Sequence, residues 1–186
     1  MSEEMLIRYC APTLAGIKTA SLFTCPSDPK EELRAQIRSA NRQLLPRGIR
    51  LLPLRQQSGR ALIYMYRPKR LERDLASQKA EAILARAHYP AGNPQRRLAE
   101  LSLRLRQFHE FPHEIGLFLG YPPDDVEGFI ENRAKAFKCP GYWKVYGDEE
   151  KAKAQFRAIS TCTACYCRCY IHGMSLEKLA VREKAS

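Results

Sequence analysis

Apolar residues recur at helical spacing from the first third of the chain onward. Leu33, Ile37, Ala40 and Leu44 fall three or four apart, which puts them on one face of a helix. Ser27-Asp28-Pro29 supplies a capping side chain and a proline suited to a first turn, and Pro46 and Gly48 close the segment. The period then changes. Residues 49–54 and 61–66 are strand-like runs joined by Gln56-Gln57-Ser58-Gly59, and together they predict a β-hairpin. Pro53 lacks an amide donor, so its strand belongs at an edge or a bulge. Helical spacing returns over 68–87 through Leu71, Leu75, Ala82 and Ile83, until His88-Tyr89-Pro90-Ala91-Gly92 breaks it. Asn93-Pro94 opens another helix, with Leu98, Leu101, Leu105 and Phe108 as its apolar face. Pro112 stops that one, a short helix follows over 113–119, and Gly120 ends it. Pro122-Pro123-Asp124 starts a helix through Asn132, and residues 142–146 read as a third strand. Asp148-Glu149-Glu150 places acids at the start of a long helix that carries Ala152, Phe156 and Ile159. Near the start of the chain, Cys10 is expected in a loop that leads into a helix of small residues. The expected architecture is α+β, a mostly helical single domain around a small sheet of about three strands that contains the hairpin. Residues 1–5 and 183–186 are expected to fray.

Bulk composition narrows the class. A chain of 186 residues with 45% hydrophobic and 27% charged residues fits one folded domain. No apolar run approaches the roughly 18–20 residues of a membrane span. The acidic start, Met1-Ser2-Glu3-Glu4, lacks the basic and apolar regions of a signal peptide, so a cytoplasmic location and no membrane partner are expected. Seven cysteines, an odd number with four of them between 162 and 169, suit free thiols in a reducing compartment better than a disulfide scaffold. The net charge of +11 is unevenly placed. Residues 27–106 hold 18 Lys or Arg against 7 Asp or Glu, and the rest of the chain holds 13 of each. Arg34, Arg38 and Arg42 repeat every four residues along one helix face. Such a block suits an anion site or a nucleic-acid surface, or else a solvated basic face. The few aromatics within it, Tyr64, Tyr66 and Tyr89, do not favour nucleic acid.

Three strings carry a family resemblance. They are Cys10-Ala11-Pro12-Thr13-Leu14-Ala15-Gly16-Ile17-Lys18, the stretch from Phe111-Pro112-His113-Glu114 to Leu119-Gly120-Tyr121-Pro122, and Gly141-Tyr142-Trp143-Lys144-Val145-Tyr146. Together they resemble the bacterial family catalogued as domain of unknown function 3793, over nearly the whole chain. The resemblance implies membership and supplies no activity or cofactor. The crowded cysteines near the C-terminus depart from that pattern.

Several residues could carry chemistry. His109-Glu110-Phe111-Pro112-His113 spells the H-E-x-x-H of zinc proteases, with Glu131 a third ligand by spacing alone. That site needs both imidazoles on one continuous helix, and Pro112 interrupts it, so no metal is expected there. The same residues suit a helix start, where His113 would lie beside free amides able to hold an anion, oriented by Glu114. Cys10 with His113 and Glu114 would make a nucleophile, base and orienter if the fold brought them together; the alternative is a cysteine of the core. Lys18, Tyr121, Trp143 and Lys144 add cations and aromatic surface for a planar anionic ligand, or else core packing. Cys162, Cys165, Cys167, Cys169 and His172 suggest metal or redox chemistry. On a straight helix, however, residues 162 and 172 lie about 15 Å apart, too far for one ion. The leading expectation is therefore a small-ligand enzyme or binding domain for an anionic substrate, dependent on thiol or histidine. Its alternatives are a nucleic-acid-associated or regulatory module using the 27–106 block and a cysteine-rich metal or redox protein.

Overall fold

The computed structural model describes residues 1–27, 29–107 and 111–182. The chain divides into two compact units, one of residues 1–69 and 159–186 and one of residues 70–158. The architecture is α+β, helices with a small antiparallel sheet.

The first unit begins with α1, Glu3–Leu14, whose Ser2 hydroxyl accepts from the Met5 amide at the N-cap. The start of the chain is thus helical rather than frayed, and Met1 and Met5 pack against the core. Cys10 and Pro12 lie inside this helix, so Cys10 is not in a loop before it. Pro12 falls in the last turn, and its carbonyl accepts from the amides of Ile17 and Lys18 at 3.0 Å each. β1, Ala20–Pro26, follows and was not anticipated. α2, Lys30–Leu44, buries Leu33, Ile37, Ala40 and Leu44, as the spacing predicts. Its N-cap is Pro29 without a side-chain bond, and Asp28 lies outside the described residues. β2, Arg50–Gln57, and β3, Arg60–Tyr66, form the predicted hairpin. The sheet order is β1-β3-β2, all antiparallel, so β3 is central and Pro53 sits on an edge strand. The register shifts between Pro53 and Arg55, the bulge that a residue without an amide donor invites. Leu6, Ile7, Cys10 and Leu14 of α1 meet Ile63, Met65 and Leu51 of the sheet in one apolar core with the buried face of α2.

The chain leaves this unit through α3, Pro68–Leu75. α4, Gln78–Arg86, follows, so the helix expected over 68–87 is two helices parted at Ala76–Ser77. α5 is Pro94–Gln107; its expected apolar residue Phe108 lies outside the described residues. α6, Ile115–Phe118, is shorter than the predicted 113–119, and α7 spans Pro123–Asn132. The third expected strand is a two-residue ladder, β4 Cys139–Pro140 against β5 Lys144–Val145, separate from the main sheet. α8, Glu149–Ile171, carries the chain back into the first unit, and α9 is Leu176–Leu179. No helix among the described residues is long and apolar enough to cross a membrane.

Candidate functional site

The second unit contains a cleft of about 500 Å³ lined largely by aromatic and small residues. Its walls come from the residues before and within α6, from α7 and from the β4–β5 ladder. Close approach makes it. Gly116 of α6 has room for nothing larger, since a Cβ there would stand 2.8 Å from Val126 Cγ2 and 3.1 Å from Tyr121 Cδ2. Gly141 lies against the Phe156 ring and Gly128 against the Tyr146 ring in the same manner. Gly120 takes φ +75, the left-handed conformation that ends α6 and turns Tyr121 into the cleft wall.

One carboxylate fixes the aromatic wall. Asp125 is buried at the start of α7. One of its oxygens accepts from Trp143 Nε1 at 2.7 Å, and the other accepts from the amides of Tyr146 and Gly147 at 2.8 Å each. A buried indole N–H needs such an acceptor, and a buried carboxylate needs several donors. Trp143 then stacks on Tyr121, centroids 4.7 Å apart and planes 27° apart, and meets Phe156 edge-on at 4.5 Å. Burial raises the Tyr121 phenol above its ordinary range, so it stays neutral.

His113 lines the cleft and stands edge-on to Phe129 at 5.1 Å. It also lines a second pocket of about 280 Å³ with Arg86, Glu114, Glu127 and Glu131. Lys144 contributes its chain to the cleft, with Nζ 4.6 Å from the Phe137 ring centroid and donating to the Ala134 carbonyl at 3.3 Å. Glu114 is turned away from the large cleft. It is buried and accepts from Arg104 at 3.2 Å, while Arg104 also holds Glu100 and covers the Tyr89 ring at 4.1 Å. The Tyr89 phenol is raised by burial and then by the neighbouring Glu114 charge. Glu114 thus belongs to a structural ion-pair cluster, and α6, which starts at Ile115, does not place His113 in a helical first turn.

Four of the residues picked out in the sequence, His113, Tyr121, Trp143 and Lys144, line this one cleft. Cys10 and Lys18 belong to the first unit. The Cys10 thiol is fully buried in that unit's core, and burial pushes it far up, against an opposing pull from Lys18 and Ser21. A thiol so placed stays protonated, which corrects the expectation of an activated cysteine at a helix start. Burial pushes Lys18 down to about 8. His109 and Glu110 of the zinc-protease string lie outside the described residues. α8 runs unbroken through the cysteine cluster, and among the described residues no group of three or more His, Cys, Asp or Glu could hold a metal ion. Asp125 and Phe129 were not singled out in the sequence, and Phe156 was named there only as an apolar residue of the long helix. The signal for Asp125 was available: a lone tryptophan in a folded core calls for an acceptor, and Asp125 follows a proline helix start.

The family described as Protein of unknown function (DUF3793) matches residues 6–180. The chain belongs to that family. All three strings of the resemblance fall inside the match, and two of them, around His113 and Trp143, meet in the cleft of this DUF3793 protein. No curated protein and no solved structure matches it.

Proposed function

We propose that this DUF3793 protein binds a planar small molecule bearing an acidic group in the cleft of its second unit. The observation that carries the reading is the stacked Tyr121–Trp143 wall in the same concavity as His113 and Lys144. A cleft of about 500 Å³ falls in the size range of small-molecule sites, which are mostly apolar with a few convergent polar groups. Aromatic faces accept a flat ring by offset stacking. The ammonium of Lys144 has three donors and spends one on Ala134, which leaves capacity for an anionic oxygen. The His113 imidazole brings two hydrogen-bonding ring nitrogens to the cleft wall, so turnover, where it occurs, is histidine-dependent. A role for Cys10 finds no support in its burial.

Trp143 is the chain's single tryptophan, so its emission reports on the cleft directly. Titration with benzoate, anthranilate and indole-3-carboxylate, against cyclohexanecarboxylate as a non-aromatic acid, tests the reading. Saturable quenching by an aromatic acid is expected, weakened about tenfold or more in K144A, because a charge-assisted hydrogen bond is lost. Folded protein whose emission and melting temperature no aromatic acid changes would overturn it.

A further inference from the structure

The first unit holds a different concavity, a cleft of about 420 Å³ lined by Arg47, Arg50, Lys69 and Arg182 together with Leu45, Pro46, Gly48 and Pro68. We infer that this cleft is a binding site for a phosphate-bearing small molecule with a di- or triphosphate's density of charge. Four cations converge from four separate segments: the turn after α2, the first residue of β2, the first turn of α3 and the segment after α9. None of the described residues lining the cleft is acidic. Glu177 reaches Arg47 at 3.4 Å, but its side chain is 60% exposed and water screens the pair. Like charges held around one hollow repel one another, and an anion seated among them turns that repulsion into attraction.

The hollow is also held in shape from beneath. Arg67 is buried, and its guanidinium donates to the carbonyls of Thr13, Leu14 and Val181 at 2.8 Å each and of Arg47 at 3.5 Å. The Val181 amide donates in turn to the Leu14 carbonyl at 3.0 Å. Arg67 is therefore a positioning residue: it fastens the backbone of Arg47 and the residue just before Arg182. Gly48 at φ +75 lets the chain turn sharply from Arg47 toward Arg50. Leu45 is 46% exposed beside the cations and offers an apolar shelf for the non-phosphate part of a ligand. A compact hollow with cations around its rim suits a small polyanion, whereas a nucleic-acid backbone is tracked by cations strung along a stripe. The stripe in this unit is the exposed Arg34, Arg38 and Arg42 row of α2, and none of its members lines the cleft.

Calorimetric titration of the whole 186-residue chain with inorganic pyrophosphate at physiological salt tests the site. One saturable site per chain is expected. R50E and R182E should each weaken it by about tenfold or more, as loss of a charge-assisted contact does. Both side chains are exposed, and circular dichroism checks that each variant is folded. The R34E/R38E/R42E variant and K144A should bind pyrophosphate as the parent does. Three results would overturn the inference: folded parent that takes up no pyrophosphate, equal loss of binding in the α2 variant, or uptake of a DNA duplex through Arg50 and Arg182 that pyrophosphate does not displace. Because K144A leaves this site intact, its failure is separable from that of the aromatic cleft.

Discussion

At the scale of single residues, the two units handle buried charge differently. Asp125 is fully employed as an acceptor, and its partners are the residues that shape the aromatic wall. Lys18 is half-buried, and desolvation works against its charge. Its ammonium is disfavoured in the fold, so its proton leaves at about 8 rather than at the ordinary 10.5. The sign follows from linkage: between those values the unfolded chain binds more protons, so this lysine makes stability rise with pH there, and below about 8 its full penalty applies. Cys10 acts in the opposite sense above its ordinary 9.0, because the folded thiol keeps a proton that the unfolded one releases. K18M is therefore expected to raise stability at pH 7 by about 1 kcal/mol or more, and to flatten the rise between pH 8 and 9. Urea melts of parent and variant across that range, followed by circular dichroism, measure both effects. The sequence made Cys10 and Lys18 visible as chemical groups. It could not show the burial of Cys10 or the desolvation of Lys18, because Pro12 masked the helix that carries Cys10 into the core.

At the scale of elements, long periodic segments were legible and short or interrupted ones were not. α2, α5, α7 and the hairpin announce themselves through apolar spacing and turn residues. β1 does not, since its buried and exposed positions fail to alternate cleanly over Ala20–Pro26. Strands β4 and β5 are too short to carry a period at all, and the closing of the ladder rests on tight contacts at glycine. That is why the aromatic half of the cleft could be named from Tyr121, Trp143 and Lys144 while its scaffold of Gly116, Gly128 and Gly141 could not. Glycine contributes there by what it leaves out. G116A is expected to push α6 off Val126 and Tyr121 and to destabilise the second unit by about 1–3 kcal/mol, the usual cost of overpacking. Trp143 fluorescence during urea unfolding gives the loss, and ring-ligand affinity should fall with it.

At the scale of the whole molecule, each unit is fastened by one buried arginine. Arg67 gathers carbonyls in the first unit. Arg97 does the same in the second, donating to Pro90 at 3.0 Å and Leu75 at 3.2 Å and pairing with Glu81. The planar guanidinium reaches several acceptors at once, which an ammonium on a flexible stem does not. R67K is expected to cost the first unit about 2–4 kcal/mol, since buried carbonyls lose their donors. Trp143 belongs to the second unit, so circular dichroism in R67K should begin to fall at lower urea than the fluorescence does. In R97K the fluorescence change should move first.

The division of the chain sets an order of events during synthesis. Residues 70–158 are one continuous stretch, so everything the second unit needs has been translated once Ala158 has emerged from the ribosome. The first unit must wait. Leu176 and Leu179 complete its core, and Val181 supplies a carbonyl to Arg67, yet these residues are made after the whole of the second unit. Until then, α1 and the hairpin sheet stand with part of their apolar surface uncovered, the kind of surface that nascent-chain chaperones bind. A ribosome that stalls before the C-terminal segment would therefore leave a half-built product: one module finished, the other open and prone to aggregate.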